Sequence, residues 1–252
     1  MNAIEILGRI KSASEEFESE AVDEAILHPE EITQPLLDIL EIAVEDYIEI
    51  ALRPDCTAHL YAIHILTELH ETDAHPTLLE LCRLPPEVLD SILGEDFIDG
   101  RLSRALAATS GGYFSGIADL LSDDELHEGV RIAALRALVT LVAFDEIDRD
   151  EVIECLGRFF REEFRESSRF WDELFESAAA LAASEIEEDV KDAWRDGLID
   201  EDWEVVEESL DPRHWQLSRQ IILGTWAVND MSCEDWWAGG REPLSWFQRQ
   251  PS

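Results

Sequence analysis

Lysine is nearly absent from this sequence of 252 residues, since Lys11 and Lys191 are the only two and the other 17 basic residues are arginines. Asp and Glu number 58, so the formal net charge is −39. A surface this poor in cations excludes a protein that binds nucleic acid through its phosphates, and it disfavours binding to anionic lipid. The shortage of lysine and the excess of acids are typical of a protein adapted to high salt. They are equally typical of an acidic, soluble protein encoded by a genome of biased composition. Both interpretations stay open.

Cysteines are few and scattered, at Cys56, Cys82, Cys155 and Cys233, with no C-x-x-C pair. This spacing excludes a disulfide framework and a four-cysteine zinc site, and it fits a reducing cytosol. Cys82 and Cys155 lie inside apolar helical patterns, where we expect small buried hydrophobes. The longest apolar run, 137–144, is too short for a membrane span, and the N-terminal residues do not form a signal peptide. We therefore expect a cytoplasmic protein.

Motifs that would carry chemistry are also missing. No G-x-S-x-G, P-loop or dinucleotide glycine motif occurs. Two His-Glu dipeptides, His70-Glu71 and His127-Glu128, are present, but a di-iron site built on helical repeats needs several on equivalent inner helices. Both are expected at helix ends or in loops. With 58 carboxylates, paired acids carry no signal either, so no catalytic, cofactor-binding or metal-ligating residue is predicted and no cofactor is expected.

Helical periodicity runs through most of the sequence. Apolar residues recur every three or four positions, without the alternation or Asn-Gly turns of strands. The predicted helices cover 36–51, 60–69, 101–110, 130–143, 150–165 and 169–183. Thr33 is expected just before the first of these, with Pro35 in its first turn, and Arg53-Pro54 at its end. Glycines are expected to end later helices, at Gly94, Gly111, Gly112 and Gly197.

A weak repeat accompanies the helices. Residues 36–40 resemble 78–81 and then 117–121, at offsets of 42 and 39. Two helices per unit of about 40 residues are typical of HEAT and armadillo repeats. The predicted fold is therefore an all-α, HEAT/armadillo-like α-solenoid of about four degenerate helical pairs, with an irregular α-helical bundle as the alternative. We assign residues 1–228 to a single α-helical repeat domain and 229–252 to a Trp-rich C-terminal tail.

Several short stretches of the sequence resemble a known protein family. They are Leu60-Tyr61-Ala62, Pro76-Thr77-Leu78-Leu79, Leu93-Gly94-Glu95-Asp96, Val130-Arg131-Ile132-Ala133-Ala134-Leu135, Phe170-Trp171-Asp172 and Gly197-Leu198-Ile199-Asp200. Over residues 4–210 the chain resembles a bacterial helical-repeat family catalogued as domain of unknown function 1186. The resemblance implies a HEAT-like α-solenoid and no assigned activity. Some relatives end in a Cys-rich zinc motif, but this tail has only Cys233, so no zinc site is carried over.

All the tryptophans lie in the last third of the chain: Trp171, Trp194, Trp203, Trp215, Trp226, Trp236, Trp237 and Trp246. The first two are expected to pack in terminal helices, and those from 203 to 226 to cap the open end of the solenoid. The tail has no periodicity. It either folds back into a groove or docks elsewhere, and Trp236, Trp237 and Trp246 are the predicted partner-binding residues, because aromatic residues are favoured interface anchors.

Two functions of different classes follow. The first is a protein-protein interaction module or scaffold, whose curved acidic face binds a basic protein partner. The second is an enzyme or accessory factor with an unrecognised, possibly metal-dependent site. The missing catalytic motifs and the charge favour the interaction module, which is not an enzyme.

Overall fold

The computed structural model describes residues 1–11, 18–53, 56–161 and 168–228, with side chains as far as 224. These residues form sixteen α-helices, joined by short turns and three 3₁₀ helices, and no strand occurs among them. The predicted all-α fold is confirmed. The stacking of the helices into a solenoid stays a prediction. The described residues fall into two compact units, 1–111 with 125–127 and 112–124 with 128–228.

Unit 1 contains nine helices. They are α1 (Ala3–Lys11), α2 (Ser19–Leu27), α3 (Pro29–Glu45), α4 (Tyr47–Ala51), α5 (Ala58–Glu68), α6 (His75–Leu81), α7 (Pro86–Ile92), α8 (Glu95–Gly100) and α9 (Leu102–Thr109), with a 3₁₀ helix at Thr72–Ala74. Helix α3 packs against α5 and α6, and α5 packs against α9. The core of this unit therefore lies around α5, where eight of eleven residues are buried.

Unit 2 contains seven helices. They are α10 (Phe114–Leu121), α11 (Glu128–Ala143), α12 (Arg149–Phe160), α13 (Arg169–Ala180), α14 (Glu187–Arg195), α15 (Trp203–Ser209) and α16 (Trp215–Val228), with 3₁₀ helices at Ser184–Ile186 and Pro212–His214. Helix α11 packs against α10, α12, α13 and α16. Twelve of its sixteen residues are buried, so its apolar side chains surround the helix rather than forming the single stripe expected of a surface helix.

The start and the end of α3 differ from the prediction. The helix begins at Pro29, so Pro35 lies in its second turn and not in its first. Pro29 suits the first position, where the missing N–H has no partner to lose, whereas Pro35 removes one internal hydrogen bond. The burial of Ile32, in the turn before Pro35, offsets that loss. The helix also stops at Glu45, and α4 follows as a separate short helix.

The predicted glycine stops are confirmed. Gly94, Gly111, Gly112 and Gly197 all have positive φ and follow a helix end. At Gly112 a side chain is doubly disfavoured, because φ is +80° and a Cβ would lie 3.1 Å from the carbonyl oxygen of Glu146. The sequence marks these helix ends because few residues other than glycine adopt the left-handed conformation.

Arg149 joins two helices of unit 2 through backbone carbonyls. From the first turn of α12 it donates to the carbonyl oxygens of Leu181 (3.0 Å) and Ala182 (2.9 Å), just beyond the end of α13. Its Nη1 also lies 2.7 Å from Oε1 of Glu185. Carbonyls at a helix C-terminus have no partner inside the helix, and the forked guanidinium can reach two of them at once.

Two further arginines make the same kind of contact. Arg131 on α11 donates to the carbonyl oxygen of Leu121 at the end of α10, at 3.2 Å. Arg219 on α16 donates to the carbonyl oxygen of Ala143 at the end of α11, at 2.7 Å, and pairs with Asp145. Lysine has no such fork, so these positions explain part of the preference for arginine.

We expect Arg149→Lys to lower the free energy of unfolding by about 1.5–3 kcal/mol, because bonds from a charged donor to buried carbonyls are lost. Urea titration followed by circular dichroism measures the change. The matched control is Arg195→Lys, whose side chain is about half exposed and pairs with Asp192 on its own helix. Equal stability of the two variants would contradict a role for the carbonyl contacts.

Candidate functional site

The residues predicted to bind a partner, Trp236, Trp237 and Trp246, lie outside the described residues. Among the other tryptophans, Trp171 is buried in α13, as expected. Trp194, Trp203 and Trp215 are half-buried, and the backbone of Trp226 lies in α16. The predicted packing of Trp171 is therefore confirmed. The cap that tryptophans 203 to 226 would form over the end of a solenoid stays a prediction.

The His-Glu dipeptides lie where the sequence indicated. His70 follows the end of α5 in a left-handed conformation, with φ of 52°, and His127 directly precedes α11. Nε2 of His127 lies 3.1 Å from Oδ1 of Asp90. No group of three or more His, Cys, Asp or Glu side chains in the described ranges could hold a metal ion.

Two cysteines are buried, as predicted. Burial raises the pKa of the Cys82 thiol to about 12 and raises that of Cys155 as well. A thiol that stays protonated at neutral pH is a poor nucleophile. These residues act as small hydrophobes.

His59 belongs to the core of unit 1. Its side chain is 2% exposed, and its Nε2 lies 2.8 Å from the carbonyl oxygen of Ile92, the last residue of α7. The ring therefore caps a helix end by donating from Nε2, and Nδ1 has no hydrogen-bond partner. Burial lowers the pKa of His59, because charging the ring in an apolar core is unfavourable.

His64 and His75 share this behaviour. Nδ1 of buried His75 lies 3.0 Å from the hydroxyl of Thr109 on α9, and burial lowers its pKa to about 4. The pKa of His64 is lowered to about 4, first by burial and then by the positive charges of Arg101 and Arg104. All three histidines are thus neutral at pH 7 and pack against neighbouring elements.

These histidines predict a loss of stability in acid. Their ordinary pKa is 6.5 and their pKa in the folded chain is lower, so their contribution is complete above pH 6.5 and falls as the pH drops towards about 4. In the double variant His59→Gln, His75→Asn, each new amide can keep the observed hydrogen bond without taking up a proton. We expect a shallower decline of the free energy of unfolding between about pH 7 and pH 5 than in the original chain.

Denaturant titrations over this pH range measure the decline, and His28→Gln, whose side chain is 52% exposed, is the control. An identical pH slope in the double variant and the original chain would contradict the assignment.

Unit 2 carries a cluster of carboxylates on α13 and in the turn before α15. This acidic cluster consists of Asp172, Glu173, Glu176 and Glu201. The pKa of Glu176 is raised, first by partial burial and then by the negative charges of Glu173, Glu201 and Asp172. Glu173 is paired with Arg136, whose Nη2 lies 2.6 Å from its Oε2. Four carboxylates therefore belong to this cluster, and that of Glu173 is paired with a cation.

A pair of tryptophans adjoins the acidic cluster. The ring centroids of Trp194 on α14 and Trp203 on α15 are 5.5 Å apart, and Nε1 of Trp194 donates to the carbonyl oxygen of Glu201 at 2.8 Å. The ammonium of Lys191 lies 4.9 Å from the centre of the Trp203 ring. This Trp pair, Trp194 and Trp203, is half-buried, and one of its faces already accepts a cation.

The surroundings of the Trp pair are strongly acidic. Residues 185–211 contain thirteen Asp and Glu but only Lys191 and Arg195 as cations. Sequence reasoning did not single out Glu176 or Glu201, because acids occur on nearly every helix face and their spacing carries no information. The sequence signal that could have indicated this site is the excess of acids between 185 and 211, combined with two tryptophans nine positions apart.

Comparison with known proteins places this all-α chain in a family. Residues 1–217 match the family model described as "Protein of unknown function (DUF1186)", and the chain belongs to this family, as the sequence resemblance indicated. No solved structure matches the chain significantly. No described helix is long and apolar enough to cross a membrane.

Two relatives are bacterial proteins described as uncharacterised. The one from Chlamydia trachomatis serovar D is 31% identical over 242 residues, covering 92% of this chain and 90% of the relative. The one from Chlamydia muridarum is 33% identical over 202 residues, covering 76% of this chain and 80% of the relative. The similarity extends over most of each protein, and the names assign no activity.

Proposed function

We propose that this protein is a protein-interaction module that binds a basic segment of a partner at the acidic cluster and the Trp pair. The observation that supports the proposal best is the placement of the Glu201 backbone against Trp194, in a cluster where the pKa of Glu176 is raised first by partial burial and then by the charges of its neighbouring carboxylates. A lysine or arginine from a partner would relieve that repulsion. The Trp pair beside it offers an aromatic surface for the same cationic side chain.

The free energies of single contacts indicate that several contacts must act together in binding. An exposed ion pair contributes about 0.2–1 kcal/mol, whereas micromolar affinity requires about 8 kcal/mol. A cation over an exposed aromatic ring adds about 0.5–1 kcal/mol. Carboxylates alone are therefore insufficient, and the partner segment should combine several basic residues with apolar side chains. We propose that Trp236, Trp237 and Trp246 supply further apolar contacts.

Binding rather than catalysis is the proposed role. The net charge of −39 repels phosphate-bearing substrates, including nucleic acids. His59, His64 and His75 have lowered pKa values and two cysteines have raised ones, so these side chains are uncharged at neutral pH and serve packing. These observations favour an interaction module over the alternative of an enzyme or accessory factor.

The first test is capture of a partner from the lysate of the native host by the tagged full chain, at low and molar salt. We expect a basic protein that is recovered at low salt and lost at high salt, because screening weakens charge attraction. The double variant Glu176→Gln, Glu201→Gln should recover several-fold less of it. The control Glu30→Gln, Glu31→Gln removes two exposed carboxylates from α3 and should capture as well as the original chain.

A partner retained equally at both salt concentrations would contradict the charge-driven part of the proposal. An equal loss of capture in both double variants would show that net charge matters and the acidic cluster does not.

A second test concerns the tail. Replacing Trp236, Trp237 and Trp246 by alanine should leave the melting temperature unchanged and reduce capture of the same partner, because interface aromatics contribute to binding and not to the fold. Differential scanning calorimetry and the capture assay measure the two properties. A large fall in melting temperature would instead show that these tryptophans pack against the folded chain.

A further inference from the structure

Lys191 places a cation of this chain on the aromatic surface of the Trp pair. Its ammonium lies 4.9 Å from the ring centre of Trp203, and its side chain is 27% exposed. Lys191 and Trp194 are three positions apart on α14, so they share one face of that helix. The cation therefore approaches Trp203 from the same helix that carries the other ring of the pair.

The ammonium of Lys191 is held weakly. Its Nζ lies 3.9 Å from Oε1 of Glu188, whose side chain is 81% exposed, and an ion pair with so exposed a carboxylate contributes little. A cation over a partly exposed aromatic ring changes a binding constant by about two- to fivefold. Neither contact is strong enough to keep a competing cation away from the ring.

Lysine at this position departs from the habit of the chain, in which 17 of the 19 basic residues are arginines. A guanidinium is planar and weakly hydrated, so it stacks well on an aromatic ring. The ammonium of lysine is compact, strongly hydrated and carried on a flexible stem, so it regains its water when it leaves the ring. Lysine therefore covers the ring and is also easily displaced from it.

We propose that Lys191 is an internal competitor for the basic partner, an inference that rests on the function proposed above. In the free chain its ammonium occupies the face of Trp203. A basic side chain of the partner displaces it, and the ammonium then moves into solvent. Because the covered ring must first be uncovered, the contact lowers the affinity for the partner by about two- to fivefold, the amount that the contact itself contributes.

Isothermal titration calorimetry of the full chain with the peptide Lys-Leu-Lys-Lys-Leu-Lys-Lys-Leu-Lys, at physiological ionic strength, tests the inference. We expect Lys191→Met to lower the dissociation constant about two- to fivefold, because the ring is uncovered. The control Arg195→Met removes one positive charge from the same helix, at a side chain that is 53% exposed and pairs with Asp192, and should change the constant less. An equal decrease in both variants would show that only net charge matters and would overturn the inference.

Lys191→Arg keeps the net charge and changes only the competing cation. Because a guanidinium stacks on the ring more strongly than an ammonium, we expect this variant to bind the peptide more weakly than the original chain. Net charge alone predicts no difference between the two chains. Unchanged or tighter binding by Lys191→Arg would contradict competition at the ring.

Trp203→Leu isolates the contribution of the ring. Lys191→Met should tighten peptide binding in the original chain but not in a chain that carries Trp203→Leu, and circular dichroism verifies that each variant is folded. An equal gain in both backgrounds would overturn the role of the ring. A peptide that binds the original chain with an affinity insensitive to residue 191 would overturn this inference alone, whereas a peptide that binds none of these chains would overturn the function proposed above as well.

Discussion

Burial of α11 on all sides is the constraint on which unit 2 depends. Four helices pack around it, and its first residue, Glu128, accepts a hydrogen bond from the backbone N–H of Phe170 at the start of α13. Arg131 leaves α11 to bond the end of α10, and Arg219 of α16 bonds the end of α11. Apolar burial stabilises the cluster of helices, while these polar contacts satisfy helix ends that burial would otherwise leave unpaired.

The charge distribution follows from the same arrangement. Three of the few cations are used at helix C-termini, where a guanidinium meets backbone carbonyls as well as a carboxylate or an aromatic ring. Carboxylates outnumber cations 58 to 19, and the pKa of Glu176 is raised first by partial burial and then by the negative charges of its neighbours. We propose that a basic partner supplies the positive charge that this surface lacks.

Much of the fold could be predicted from local signals. Gly94, Gly111 and Gly197 mark helix ends because the left-handed conformation they adopt is costly for other residues. Pro35 misled the prediction, because its preference for a first turn was outweighed by the burial of Ile32 in the turn before it. The candidate site was largely beyond prediction. Glu176 and Glu201 are 25 positions apart, and an excess of acids hides which of them meet.

The sequence by itself determined the helical class, most helix ends, the family, the buried state of Cys82 and Cys155, and the absence of recognisable catalytic motifs. These properties depend on periodicity, on backbone preferences within one turn and on composition, all of which are local. Only the tertiary structure decided that His59 caps α7, that Arg149 bonds the end of α13, and that Trp194 and Trp203 meet beside Glu201. Each of these contacts joins two elements, and the distances between elements are set by the packing of the whole unit.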